Sequence, residues 1–167
     1  MAFAQKYPQN CQSIILIEAH LFHQSFKEKM IHTLGLEGEA RAEMIAKNFE
    51  HWIGRHQPRR RQKMAERASE LVYETTLIED LEKSEMIDSK SIENLDCEIL
   101  ALYGTKSDAV ESASLLEKHA KNLELVWFDD CSHAILWEKT TEVTASIFKF
   151  LSAKSQSSSK SQSSSHL

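Results

Sequence analysis

Three short, almost unbroken apolar runs limit what this chain can fold into. They are Ser13 to Ala19, rich in isoleucine, Ile99 to Tyr103, and Leu123 to Phe128. Pro8-Gln9-Asn10 precedes the first, Gly104 ends the second, and Asp129-Asp130 ends the third. Runs of this length with no polar face suit strands of a parallel sheet covered on both sides. Between the second and third, Asp108 to Lys121 carries a helical stripe of Val110, Ala113, Leu116 and Ala120. After the third, Val143, Ile147, Phe150 and Leu151 fall at i, i+4, i+7 and i+8, an amphipathic helix. Strand, helix, strand, helix with short connections predicts an α/β sheet of about three strands.

The stretch between the first two strands is of another kind. Residues 25–95 hold no strand pattern but several helical ones: Ile45, Phe49, Trp52 and Ile53, then Met64, Ala68, Leu71 and Val72, separated by Gly54 and Pro58. A third, shorter helical segment runs from Thr76 to Ile87. An excursion of about 70 residues far exceeds the usual crossover of a few loop residues and one helix. It predicts a helical cap over residues 25–95, inserted into a sheet-bearing core made of 1–24 and 96–152. Residues 153–167 form the remainder, where Lys-Ser-Gln-Ser-Ser-Ser of 154–159 is repeated at 160–165. Ordering that stretch buries nothing apolar, so a disordered tail is expected.

Composition excludes several classes. Of 167 residues, 41% are hydrophobic and 27% charged, ordinary for a globular protein, and the net charge of −5 offers no basic field for nucleic acid or an anionic membrane. No apolar run approaches the ~20 residues of a membrane helix. The opening Met1-Ala-Phe-Ala-Gln-Lys-Tyr7 is too polar for a signal peptide. Cys11, Cys97 and Cys131 are scattered and odd in number, which fits free thiols in a reducing compartment, so the cytoplasm is the expected location. The basic run Arg55-His-Gln-Pro-Arg-Arg-Arg-Gln-Lys63 reads as a solvated turn and helix start, partly neutralised by Glu66, Glu70 and Glu74, rather than a phosphate-binding surface.

Two residues stand where chemistry is expected. Open α/β folds place ligands at the carboxyl edge of the sheet. The second strand leads there through Gly104-Thr-Lys-Ser-Asp108, and the third through Asp129-Asp-Cys-Ser-His133. A carboxylate beside an imidazole orients it and stabilises its protonated form. Asp108 equally suits the N-cap of the following helix, and His133 a loop histidine bonded to backbone. Ser107, Ser132, Cys11 and Cys131 lie near these positions, but none sits on a sharp strand-to-helix turn that would present a nucleophile. Metal readings are weaker. Cys131-x-His133 lacks a second paired motif, and His20-Leu-Phe-His23 with Glu18 nearby lacks a His-Glu-x-x-His pattern, so neither a metal nor a cofactor is expected.

The segment from Cys97 to Leu151 resembles the C-terminal part of α/β-hydrolase-fold enzymes. Ile99-Leu-Ala-Leu-Tyr-Gly-Thr-Lys-Ser-Asp108 is similar to the family's strand followed by its acid, and Cys131-Ser-His-Ala-Ile-Leu-Trp-Glu138 to its histidine loop and the helix start after it. Lys6-Tyr-Pro-Gln9 through Ile14-Ile-Leu-Ile-Glu-Ala19 is similar to the stretch downstream of the family's nucleophile helix. The resemblance spans about 1–152 and implies a truncated parallel sheet of α/β-hydrolase type with a helical cap insertion. It also implies that Asp108 and His133 are the acid and base of a Ser-His-Asp triad. Family caps line the pocket, so Phe49, Trp52 and Ile53 are candidates for an acyl-binding wall, and His20 or Phe22 for substrate contact.

One departure dominates. The family's nucleophile lies on a Gly-x-Ser-x-Gly turn that precedes the acid and the histidine. Four glycines (Gly35, Gly38, Gly54, Gly104) leave no such motif here. The expectation is a chain supplying acid, base and cap, with the serine from elsewhere, for hydrolysis of an ester-like substrate or a related acyl or C–C bond. Alternatives are a catalytically inactive remnant or pseudoenzyme that binds other proteins, or a truncated gene product. With the nucleophile strand missing, Ser13–Ala19 would present an isoleucine-rich open edge, inviting self-association or a partner supplying the N-terminal half.

Overall fold

The computed structural model of the chain describes residues 1–48 and 58–162. At its centre is β2 (Glu98–Gly104), where Leu100, Ala101, Leu102 and Tyr103 are all 0% exposed. Such a strand is apolar on both faces because both are covered. It lies between β1 (Ser13–Ile17) and β3 (Leu123–Phe128), parallel to each, in the order β1-β2-β3. The register pairs Ser13 with Glu98 and Ile17 with Leu102 on one side, and Ile99 with Leu123 and Gly104 with Phe128 on the other. Every residue of β1 is half-buried, as befits an edge strand.

Period-two alternation sorts the strand side chains into two layers. Ala101 and Tyr103 pack with Ala113 and Leu116 of α7 (Val110–His119), and with Ile92 of α6 (Ser89–Glu93). Leu100 and Leu102 face the other way, onto Ile135 of α8 (Ile135–Glu138) and Val143 and Phe150 of α9 (Thr140–Gln162). Ala4 of α1 (Ala2–Lys6) closes the base of the sheet against Leu95 and Ile99.

Between β1 and β2 the described residues contain helices only. These are α2 (Gln24–Gly35), α3 (Gly38–Asn48), α4 (Pro58–Glu74), α5 (Leu77–Lys83) and α6. Helix α2 packs against α3, α4 and α5. Buried Arg41 of α3 donates to Ser69 Oγ of α4 at 3.3 Å, and its guanidinium covers the Tyr73 ring at 4.8 Å. Ile45 is buried as its stripe predicts, whereas Leu71 is exposed. Phe49, Trp52 and Ile53 lie outside the described residues, as do Arg55 to Gln57 of the basic run.

Two boundaries differ from those read in the sequence. Strand β1 stops at Ile17 rather than Ala19, because Glu18 takes a left-handed backbone (φ 50°) that no strand continues through. Helix α9 runs to Gln162, past residue 153 where the tail was expected to begin. No glycine or proline interrupts those residues, and extending a helix is far easier than starting one. No described helix is long and apolar enough to cross a membrane.

Candidate active site

The three strand ends deliver their loops to one place. After β2 the chain turns through 105–109, and after β3 through 129–134. Backbone bonds lace the two loops together: Thr105 N–H to the Phe128 carbonyl at 3.0 Å, and Lys106 N–H to the Cys131 carbonyl at 2.9 Å. They close so tightly that a Cβ on Gly104 would lie 2.3 Å from the Cys131 carbonyl oxygen and 2.7 Å from that of Ser132. Glu138 holds the histidine loop from its far side, accepting from Ser132 N–H at 2.9 Å and from its hydroxyl at 2.8 Å.

Asp108 and His133 meet as the sequence suggests, with Asp108 Oδ1 3.6 Å from His133 Nδ1. Asp108 is not the helix cap: α7 is capped by Ala109, with no side-chain cap bond. Two further residues join them. Glu18 Oε2 lies 3.2 Å from the same His133 Nδ1, and His20 Nε2 lies 3.5 Å from Asp108 Oδ1. All four side chains are largely withdrawn from solvent, at 4% exposure for Glu18, 10% for His20, 11% for Asp108 and 23% for His133.

Glu18 organises the loop that carries Asp108. Its carboxylate accepts the Gly104 N–H on one oxygen and the Ser107 hydroxyl on the other, and Ser107 Oγ in turn accepts Ala109 N–H at 3.0 Å. The segment after β1 is pinned as firmly: Glu18 N–H to the Leu102 carbonyl (3.0 Å), Tyr103 hydroxyl to the Ala19 carbonyl (2.7 Å), and Leu21 N–H to Ser112 Oγ (2.9 Å). A non-glycine residue at positive φ costs of order 1–3 kcal/mol and persists only where surroundings hold it. These bonds are what hold it. In the sequence Glu18 stands out only as a neighbour of a weak histidine pair. The available signal was its place, a lone acid at the end of an isoleucine-rich strand and so at the same sheet edge as Asp108 and His133.

His20 stacks on Phe26 of α2 at 4.5 Å between ring centres, and against His133 at 5.4 Å. His23 takes no part; its Nδ1 lies 3.8 Å from Glu111 and 3.1 Å from Ser25 Oγ. The His20/His23 spacing needs a helix to bring the two rings together, and α2 begins only at Gln24.

The nearby serines are engaged elsewhere, Ser107 with Glu18 and Ser132 with Glu138. Cys131 is buried, and burial followed by the Glu138 carboxylate pushes its thiol pKa up. An activated thiol is shifted the other way. Cys131 is therefore expected to alkylate more slowly than a free cysteine peptide at neutral pH, and to catch up only on denaturation. Mass-spectrometric timing of iodoacetamide uptake in the native chain checks this, and native Cys131 reacting at the peptide rate contradicts it.

A parallel sheet in this order with helices on both faces places the chain in the α/β-hydrolase fold, as its likeness to solved structures shows. Solved structures of that class superpose on it. One is an α/β hydrolase enzyme from a Medee basin deep-sea metagenome library, at 18% identity and TM-score 0.66, covering 90% of this chain and 60% of that one. Another is an esterase from Exiguobacterium antarcticum, at 15% identity and TM-score 0.61, covering 90% and 63%. A third is a meta-cleavage product hydrolase from Pseudomonas fluorescens, at 16% identity and TM-score 0.58, covering 92% and 60%. At such identities the likeness is one of fold, and the chain spans about 60% of the length of these structures. No family model matches the sequence, and no curated protein does.

Proposed function

We propose that this chain contributes the acid and the general base of a Ser-His-Asp relay to hydrolysis of an ester, or of a related acyl or C–C bond. The observation that carries the reading is the approach of Asp108 Oδ1 to His133 Nδ1, 3.6 Å across adjacent strand ends. With Nδ1 turned to the carboxylates, Nε2 is the nitrogen that takes the proton from an attacking hydroxyl and returns it to the leaving group. Glu18 shares the orienting role by its own 3.2 Å approach to Nδ1. The stack of Phe26 on His20 brings α2 onto this site, which supports a cap role for the helices of 25–95.

The nucleophilic serine, in this reading, comes from a further polypeptide segment. The absence of any Gly-x-Ser-x-Gly in the sequence supports that. So do the half-buried edge of β1 and the exposed Leu136 and Trp137 beside the histidine loop, the latter 81% exposed, as surfaces for that segment.

Fluorophosphonate labelling and p-nitrophenyl ester turnover test the proposal, on the chain alone and after mixing with a nucleophile-bearing N-terminal segment of an α/β hydrolase. The chain alone is expected to remain unlabelled. The mixture is expected to turn over, with activity lost in His133→Ala and strongly reduced in Asp108→Asn. Labelling of a serine within residues 1–167 overturns the external nucleophile, and full turnover in His133→Ala overturns the relay.

A further inference from the structure

At the end of the sheet away from the site, where β1 and β2 begin, two thiols come together. Cys11 lies just before β1 and Cys97 just before β2, and the parallel register sets Ser13 beside Glu98. Paired strands run about 4.8 Å apart, and disulfide-linked residues have Cα atoms about 4.4–6.8 Å apart. The Cys11 thiol turns towards this pairing, donating to the Ser13 carbonyl at 3.6 Å. Both cysteines pack against one small cluster of Ala4, Leu95 and Ile99, and both are half-buried free thiols. We propose that Cys11 and Cys97 are a redox modification site, closed by a peroxide to an intramolecular disulfide that locks β1 to β2.

The order of events follows from the surroundings of the two sulfurs. Burial first, then the neighbouring Cys11 thiol, pushes the Cys97 thiol pKa up. That influence includes a hydrogen bond between the two side chains, which puts the sulfurs in contact. Cys97 is the poorer first nucleophile, because the thiolate is the form that attacks. The Cys11 thiolate attacks one peroxide oxygen, the O–O bond breaks, and the departing hydroxide is protonated to water, leaving Cys11 as a sulfenic acid. The Cys97 thiolate then attacks the Cys11 sulfur, the S–O bond breaks, and a second hydroxide leaves as water. The two sulfurs give up two electrons, and one hydrogen peroxide becomes two waters. Where the compartment is reducing such a bond is transient, which is how paired cysteines sense oxidants.

The link spans the whole helical insert, and the constraint a disulfide places on the unfolded chain grows with the loop it closes. It therefore stabilises the same strand pairing whose other end sets Glu18 against Gly104. Cys131, the remaining cysteine, follows β3 at the opposite end of the sheet and serves as the internal control. No atom of the proposed relay takes part. A chain that fails to form the link leaves the hydrolytic reading untouched, and failed turnover leaves the disulfide untouched.

The test is titration of the full chain, reduced and then freed of reductant, with hydrogen peroxide, read by non-reducing peptide mapping. A peptide linking Cys11 to Cys97 is expected, lighter by two hydrogens. With isotope-labelled and unlabelled chains mixed, the link must stay within one chain. The linked protein is expected to unfold at higher urea, its unfolded-to-folded ratio lowered roughly 30- to 1,000-fold, and dithiothreitol is expected to reverse the shift. Cys97→Ser is expected to lose both the link and the shift, and Cys131→Ala to keep both. Should a variant fail to fold, the wild-type map and its urea curve decide. No link at excess peroxide, a link between chains or through Cys131, a midpoint that the link leaves unmoved, or a shift that persists in folded Cys97→Ser each overturns the proposal.

Discussion

Alanine at Gly104 is expected to cost about 3 kcal/mol of folding stability, the upper end for forcing atoms into a packed site. The obstacle is backbone. An added Cβ would stand 2.3 Å from the Cys131 carbonyl oxygen, 2.7 Å from that of Ser132 and 2.8 Å from the Cys131 carbonyl carbon. No rotamer change relieves it. Either the end of β2 or the histidine loop must move, and each is tied down, Gly104 N–H by Glu18 and the Cys131 carbonyl by Lys106 N–H. His133 lies two residues beyond Cys131, so the displacement reaches the site as well. Gly35→Ala is the matched control: nothing stands within 4 Å of its Cβ position. That variant is expected to gain about 0.5–1 kcal/mol, since alanine restricts the unfolded chain and suits a helix. Urea unfolding of both variants reads the difference directly. A Gly104→Ala protein within about 0.5 kcal/mol of wild type, the scale of an ordinary surface change, shows the loops are not locked.

Glu18→Ala is expected to be as damaging by a different route, about 3–5 kcal/mol. It strands two buried donors, the Gly104 N–H and the Ser107 hydroxyl, and a bond to a charged acceptor is worth about 1.5–3 kcal/mol. It also leaves a β-carbon in the left-handed region with none of the bonds that kept Glu18 there. Glu18→Gln separates the two costs. The amide oxygen still receives Gly104 N–H, and the Ser107 hydroxyl can reverse to accept from the amide nitrogen, so a loss of about 1 kcal/mol is expected. Chemical denaturation of the pair checks this. Equal losses for Ala and Gln make the hydrogen bonds irrelevant, and a loss below about 1 kcal/mol for Ala contradicts the role given to Glu18.

The sheet was legible because burial on two faces demands apolar runs, and β3 falls on the residues where the run Leu123 to Phe128 predicts it. The approach of Asp108 to His133 was legible because strand ends were, and adjacent parallel strands bring their following loops together. Glu18 and His20 were harder. Their importance lies in the register of β1 against β2, which sets Ile17 beside Leu102 and so brings the residues after it beneath Gly104 and Asp108. Register is a tertiary quantity, settled by packing of both layers at once. The left-handed turn at Glu18 is a consequence of it, invisible to propensity, which never favours glutamate there. The far end of α9 shows the reverse case. A serine- and lysine-rich segment with no apolar face predicts disorder, yet helix continues through Gln162, because an existing helix carries forward residues that could not begin one.

Glu18 and Gly104 are 86 positions apart, and the parallel pairing of β1 with β2 spans the whole helical insert. Closing so long a loop returns nothing until both ends have arrived, which places this contact among the slow and late events of folding. Helices α2 to α5 can assemble on local contacts before it. The meeting of Glu18, Asp108 and His133 has no existence in such an intermediate, so its assembly distinguishes the finished molecule from one that is merely helical.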